Sequence, residues 1–374
     1  MQDIPATALA SSPDAPQAAS VSAPTAPAQA LGTASASLEE VGGALSFPVF
    51  SGVSQDLGAL IEGAGAFDLG YRGQIAVGGE DRLRWLNGML TNNIQGLAEG
   101  TGSYSFLLNA QGRIQGDCDA FRMADRLLVL TDRSQLPALM AHFDHFIIMD
   151  DVAIKDISAD STALGLAGSR APQLLAALGV TLPATASEGL WLLQTRICGV
   201  PVQLIGGYPT ASPRFELWCT NEEVRMLWDV LLAAGAVPCG IRAAESLRVL
   251  EAIPRYGVDI NSRDLPQETS QARALHFAKG CYLGQEIVER IRSRGQVHRR
   301  LAQFALSSEP AELPLELTAS GETAPAGRIT STAAYKGTRY GLGVVRSEAV
   351  DRHSTLEYPG GIATLVTHPP LAHS

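Results

Sequence analysis

Two runs, "GSYSFLLNAQGRIQGDCDAFRM" (102–123) and "RLLVLTD" (126–132), follow each other with almost no spacer. Both read as strands. The Asn-Ala-Gln-Gly step at 109–112 suits a hairpin turn inside the first run. A period of 3.6 precedes them over Glu80–Leu90 and returns over "SQLPALMAHFDHF", before a strand "DVAIKDIS". The chain mixes helices and strands without regular βαβ alternation, which predicts an α+β fold rather than a doubly wound parallel sheet.

Similar elements recur from about residue 162 to 250. The helix "APQLLAAL" leads to strands "GLWLLQTRI", "PVQLIGG" and "RFELWCT", then to the helix "NEEVRMLWDVLLAAG". From about residue 299 the short runs "GRITSTA", "YGLGVVR" and "IATLVTH" predict a small β-barrel or sandwich. Residues 1–45 are dominated by Ala, Pro, Ser and Thr and predict a disordered tail. The expected organisation is therefore 1–45 tail, 46–298 α+β region of two modules, and 299–374 barrel.

Composition narrows the function classes. A formal charge of −10 argues against broad phosphate-backbone binding. No apolar run approaches the roughly 18 residues of a membrane span. The five cysteines, Cys118, Cys198, Cys219, Cys239 and Cys281, form no C-x-x-C pair, so neither a disulfide framework nor a closed zinc site is expected. The first positive side chain is Arg72, which leaves no basic region for a secretory signal or transit peptide, and a cytoplasmic location is expected. The "GAG" at 63–65 follows a helix, and Asp68 stands where a third glycine belongs, so a dinucleotide fingerprint is rejected. There is no P-loop. His142 and His145 share a helical face but lack a third ligand nearby, and no metal site is assigned.

The densest chemistry lies in "KGCYLGQE" (279–286). Lys279 can lower the pKa of the Cys281 thiol, and Gly280 lets the backbone turn or approach closely. A helix over "YLGQEIVERIRS" would put Cys281 near its positive end. Ile287, Val288 and Ile291 make its apolar stripe, Glu286 and Arg290 a favourable pair, and Gly295 its C-terminal cap. On these residues alone Cys281 is either a reactive thiol or a small buried hydrophobe. Arg290, Arg292, Arg294, His298, Arg299 and Arg300 form a basic cluster just beyond, a solvated face by default and an RNA or anion surface otherwise.

The octet, preceded by "LPQET" and followed by "VERIRSRGQVHRRL", resembles the K-G-C-[FY]-x-G-Q-E motif of the YgfZ family, folate-binding proteins related to the glycine-cleavage T-protein, an aminomethyltransferase. "DLGYRGQIAVGGEDRLRWLNGMLTNNI", "ESLRVLEAIPRYGVDI" and "AGRITS" agree with the wider superfamily. The resemblance implies two α+β modules and a C-terminal β-barrel around a central opening that holds tetrahydrofolate or a one-carbon derivative. It also implies support of iron–sulfur clusters in client enzymes, with a link to tRNA modification. The motif residues it singles out are Lys279, Gly280, Cys281, Tyr282, Gly284, Gln285 and Glu286. The folate contacts it implies are Asp117, Glu216 and Arg248. Asp117 matches the second aspartate of the T-protein's I-x-D-D segment, with Gly116 in place of the first. Read by themselves, Glu216 is either solvated or paired and Arg248 is either ligand-facing or exposed. The alternative implied function is a folate-dependent aminomethyl- or methyltransferase that leans on Asp117.

Overall fold

The computed structural model of the chain describes residues 22–32, 37–295 and 297–371. Two passes of one motif build a single sheet. The first runs β4 (Arg72–Gly78), α3 (Arg82–Met89), β5 (Thr101–Leu108), β6 (Ile114–Arg122), β7 (Leu127–Asp132), α4 (Leu136–His145), β8 (Ala153–Asp156). The second runs β9 (Ser161–Ala167), α5 (Ala171–Ala177), β10 (Leu190–Ile197), β11 (Val200–Gly206), β12 (Arg214–Thr220), α6 (Val224–Ala233), β13 (Val237–Pro238). The first pass pairs in the order β5-β6-β7-β4-β8, and the second begins β10-β11-β12-β9 in the same sense. A strand from before both passes, β3 (Gly65–Asp68), then inserts between β9 and β13. The passes join where β10 pairs antiparallel with β5, Leu190 opposite Gly102. The echo in the sequence is thus a structural repeat.

Both faces of the sheet are covered. On one face Trp85, Leu86, Leu139 and Phe143 of α3 and α4 pack on Ile75, Cys118 and Val129. Leu174, Leu227 and Leu231 of α5 and α6 pack on Leu164, Leu204 and Leu217 in the same way. Side chains such as Phe121 and Phe143 are fully buried, and each contributes about 1.5–3 kcal/mol of transfer energy. The other face of the sheet packs against α7 (Ile241–Leu250) and the barrel: Phe67, Leu130 and Ile205 share a core with Leu247, Leu301 and Leu342. The barrel is closed, in the order β14 (Arg299–Leu306), β17 (Thr338–Arg346), β16 (Pro325–Tyr335), β15 (Leu315–Thr318), β18 (Thr355–Tyr358), β19 (Gly361–Leu365), with α9 (Ser347–Arg352) between β17 and β18. Among the described residues no helix is long and apolar enough to cross a membrane.

The expected tail ends sooner than composition suggests. Residues 1–21 and 33–36 lie outside the described residues, but α1 (Ala26–Leu31) and a hairpin of β1 (Glu39–Val41) and β2 (Ala44–Ser46) are built before residue 47. One buried carboxyl organises them. Asp68 accepts hydrogen bonds from Thr25 Oγ1, from Ser46 Oγ at 2.6 Å and from the Gly70 amide at 2.7 Å. Burial raises the Asp68 pKa, and these donors oppose the rise. Thr25 also caps α1 through the Ala28 amide at 3.1 Å. Between the hairpin and β3, α2 (Val53–Glu62) packs on α7.

Candidate functional site

The β6 sequence "IQGDCDAFR" alternates from Ile114 to Ala120, and its two sets of side chains part. Cys118 and Ala120 go under the helices, while Asp117 and Asp119 face a cavity of about 250 Å³ between the sheet, α7 and the 253–256 loop. On β12 the same alternation sends Phe215 and Leu217 to the helices and leaves Arg214 and Glu216 on the cavity wall. The two candidate carboxylates, 99 residues apart in the chain, therefore meet in one cavity because each pass of the repeat contributes a strand to it.

Asp117 is held by two neutral donors. Tyr104 Oη donates to its Oδ2 and Gln135 Nε2 to its Oδ1, each at 2.8 Å, while its own amide donates to Gln135 Oε1 at 3.0 Å. Burial pushes its carboxyl up to about 6, Gln135 opposes this, and the nearby Asp132 charge adds to it. Among the described residues no cation pairs with it. Glu216 instead accepts from Trp218 Nε1 at 2.9 Å and lies 3.5 Å from Arg72 Nε; burial raises its pKa and Arg72 holds it back. Arg72 also pairs with Asp119 at 2.8 Å. Gly116, in place of the first aspartate, faces α4, where an added Cβ would meet Leu139 Cδ1 at 2.6 Å.

Arg248 reaches the cavity wall but is spoken for. Its Nε donates to Glu245 at 2.7 Å, Nη1 to Asp259 at 2.6 Å and to the Ile253 carbonyl at 3.1 Å, and Nη2 to Ser331 Oγ at 2.9 Å. It is 8% exposed, and its bonds tie α7 to the 253–259 loop and to barrel strand β16. The arginine is neither exposed nor free for a ligand; it clamps the barrel to the sheet.

The octet folds over the β5–β6 hairpin and not into the cavity. Its helix, α8 (Gln285–Arg294), begins three residues later than the expected Tyr282 start, because Gly284 adopts φ +81°. A Cβ there would lie 2.6 Å from the Asn109 carbonyl oxygen, so both its conformation and the close approach demand glycine. Tyr282 is buried with Phe106 and Val288, Gln285 Oε1 accepts from the Tyr282 amide at 3.3 Å, and Gly295 closes the helix at φ +69°. Gly280, by contrast, has open space around its Cβ position and no positive φ, so no close approach requires it. Glu286 and Arg290 form no ion pair; Glu289 and Arg292 do, at 3.5 Å, a small term for exposed charges.

Lys279 does something other than the sequence suggests. Its Nζ donates to the carbonyls of Asn87, Leu90 and Asn92, all within 2.6 Å, and so caps the C-terminal end of α3. Burial pulls its pKa down to about 7, while those acceptors favour the ammonium. All three N–H donors are directed at carbonyls, away from a role in activating the thiol. Cys281 itself is exposed and is not part of the cavity lining, whereas burial pushes Cys219 and Cys239 up to about 12. In the basic cluster Arg299 pairs with Asp264 and Glu268, Arg300 pairs with Asp351, and Arg292 stacks 4.3 Å from the Phe277 ring. His142 and His145 both rest on the Phe146 ring at 5.0 Å.

Sequence reasoning missed Tyr104, Gln135, Arg72 and Asp119. Asp119 was the recoverable one: it lies two residues from Asp117 on a strand and must share its face. The register that sets Tyr104 opposite Asp119 is a tertiary fact.

Comparison with known proteins agrees with this architecture. The chain is 26% identical over 336 residues to a chloroplastic protein of Arabidopsis thaliana that carries a provisional transferase name, covering 87% of this chain and 77% of that one. It is 28% identical over 258 residues to the aminomethyltransferase of Rubrobacter xylanophilus, covering 69% of each. In fold it matches the crystal structure of glycine cleavage system aminomethyltransferase T from Bartonella henselae, with a TM-score of 0.79 at 20% identity, over 90% of this chain and 94% of that one. Residues 28–279 match the GCVT N-terminal domain. With that match spanning the whole eleven-stranded sheet and the octet's lysine, and with a closed six-stranded barrel following it, the chain belongs to the GCVT N-terminal domain family.

Proposed function

We propose that the protein binds tetrahydrofolate, or a one-carbon derivative of it, in the central cavity, and that it serves as an accessory factor for iron–sulfur enzymes of the YgfZ type. The observation that carries the folate reading is Asp117, a carboxyl in the cavity wall with two neutral donors and no cation partner among the described residues. A reduced pterin presents adjacent N–H donors, which a carboxylate receives in two parallel charge-assisted bonds. Each Asp117 oxygen accepts one bond from the protein and keeps a lone pair for the ligand. A cavity of about 250 Å³ suits a ring system and leaves a longer tail to run beyond it. The bound folate supplies the nitrogens that carry a one-carbon unit. Tyr104 and Gln135 orient Asp117, and Glu216 with Arg72 lines the cavity wall. Binding of tetrahydrofolate to the purified protein, lost in Asp117→Ala, tests this; equal affinity in the variant contradicts it.

The accessory role rests on the octet. Exposure of Cys281, with its backbone fixed by Lys279, Tyr282 and Gly284, supports a thiol that meets a macromolecular client or its cluster rather than the folate. Cys281→Ser is expected to leave folding and folate affinity intact and to abolish rescue of iron–sulfur enzyme activity, including any tRNA modification that depends on such an enzyme. Full rescue by the variant removes the role.

The transferase reading draws on one specific observation. That reading is an alternative to the pose with the pterin N–H edge on Asp117: here Asp117 faces a nitrogen that carries the one-carbon unit, where a carboxyl raised to about 6 exchanges a proton near neutral pH. The glycine at 116 does not weaken it, since that position faces the helices. One-carbon transfer to tetrahydrofolate by the purified protein, absent in Asp117→Asn, would establish it.

A further inference from the structure

The charged groups around the central cavity are almost all engaged in ion pairs. Arg72 pairs with Asp119 and Glu216, Arg214 with Glu251, Arg248 with Glu245 and Asp259, and Arg255 with Asp132 and Glu245. Two lining groups are left over. One is Asp117, already assigned. The other is Arg273, which has no carboxylate partner among the described residues and whose Nε is buried without an acceptor. That nitrogen has given up a hydrogen bond to water and regained none.

Arg273 is nevertheless fixed in place. Its Cζ lies 4.9 Å from the Tyr208 ring centre and 5.4 Å from that of Tyr104. Tyr208 Oη accepts the Tyr104 amide at 3.1 Å, so the two rings are tied together. Contact with ring faces holds a guanidinium while leaving its planar fork of donors available. Arg214 is close by: its pKa falls to about 10, first through burial and then through the Arg273 charge. Arg214 is itself paired with Glu251, so the unpaired positive charge of this part of the wall is that of Arg273. Tyr104 touches both leftover groups, with its hydroxyl on Asp117 and its ring beneath Arg273.

We propose that Arg273 is the anion-recognition residue of the central site, gripping a carboxylate that the ligand carries on a tether from its ring. The site then selects a heterocycle that carries an anionic arm within reach of Arg273. Arg248 cannot take this part, since its donors are committed to Glu245, Asp259, Ile253 and Ser331. The inference rests on the reading of a reduced folate in the cavity, where the anionic arm is the glutamyl tail.

The test is calorimetric titration of the full chain with tetrahydrofolate and with 6,7-dimethyltetrahydropterin, which keeps the ring edge and lacks any carboxylate. Arg273→Gln is expected to weaken tetrahydrofolate by about tenfold or more, the scale of one charge-assisted hydrogen bond, and to leave the pterin within about twofold. Arg273→Lys, which keeps the charge and loses the fork, should fall between and guards against a misfolded Gln variant. Asp117→Ala should weaken both ligands. Tetrahydrofolate affinity unchanged in Arg273→Gln, with Asp117→Ala still impaired, overturns the role of Arg273 and leaves the folate site standing. Failure of the unsubstituted protein to bind either ligand overturns the folate site itself.

Discussion

Replacing Asp117 by asparagine isolates the electrostatics of the cavity. Asn keeps the shape, and its amide can give a hydrogen bond to Tyr104 Oη while its carbonyl receives Gln135. What disappears is the ionisation. Burial sets the carboxyl at about 6 against the ordinary 3.8 of an aspartate, a gap worth about 3 kcal/mol at about 1.36 kcal/mol for each pH unit. Water in an open cavity screens part of this, which leaves about 1–2 kcal/mol. The sign follows from the direction of the shift. A raised carboxyl contributes its full stability below 3.8 and loses it as the pH climbs through about 6, because the fold must then hold a charge it disfavours. Asp117→Asn should therefore gain about 1–2 kcal/mol on the unsubstituted protein between about pH 4 and about pH 8. Urea unfolding of both proteins across that range, without ligand, measures the difference directly. A stability difference that does not change with pH refutes the reasoning, since Asp117 would then ionise like an exposed aspartate.

Two further substitutions test the scaffold around the site. Lys279→Met removes the only side chain donating to the carbonyls of Asn87, Leu90 and Asn92 among the described residues, and should cost about 2–4 kcal/mol in urea unfolding. Loss of less than about 0.5 kcal/mol would return Lys279 to candidacy as a thiol-activating group. Arg248→Ala leaves Asp259, fully buried, without its cation and should cost about 3–5 kcal/mol, read by the same assay; a stable variant with impaired folate binding would make Arg248 a ligand contact after all.

What could be read from the chain depended on how local the signal was. Alternation in "IQGDCDAFR" and "RFELW" was enough to set Asp117 and Glu216 opposite their apolar neighbours, and both strands deliver them to the cavity. Three of the six barrel strands, β16, β17 and β19, declared themselves through short runs with turn residues. Arg248 misled because its partners lie elsewhere: Asp259 is on a loop and Ser331 on a barrel strand 83 residues away. Lys279 misled for the same reason, since the carbonyls it caps precede it by 187 to 192 residues. The N-terminal arm was hidden most completely. Its Ala/Pro/Ser composition reads as solvated chain, yet Thr25 and Ser46 are fastened to Asp68, a carboxyl that shows no local sign of organising anything. Local patterns specify which face a side chain takes; they do not specify which distant group will satisfy it.

The cavity's role as a folate site is tested most directly by a crystal structure of the protein soaked with tetrahydrofolate. The account predicts the pterin in the central cavity, its N–H edge within about 3 Å of the Asp117 carboxylate oxygens, and Cys281 apart from it. A ligand ordered against Cys281, or a cavity left empty at saturating folate, would contradict it.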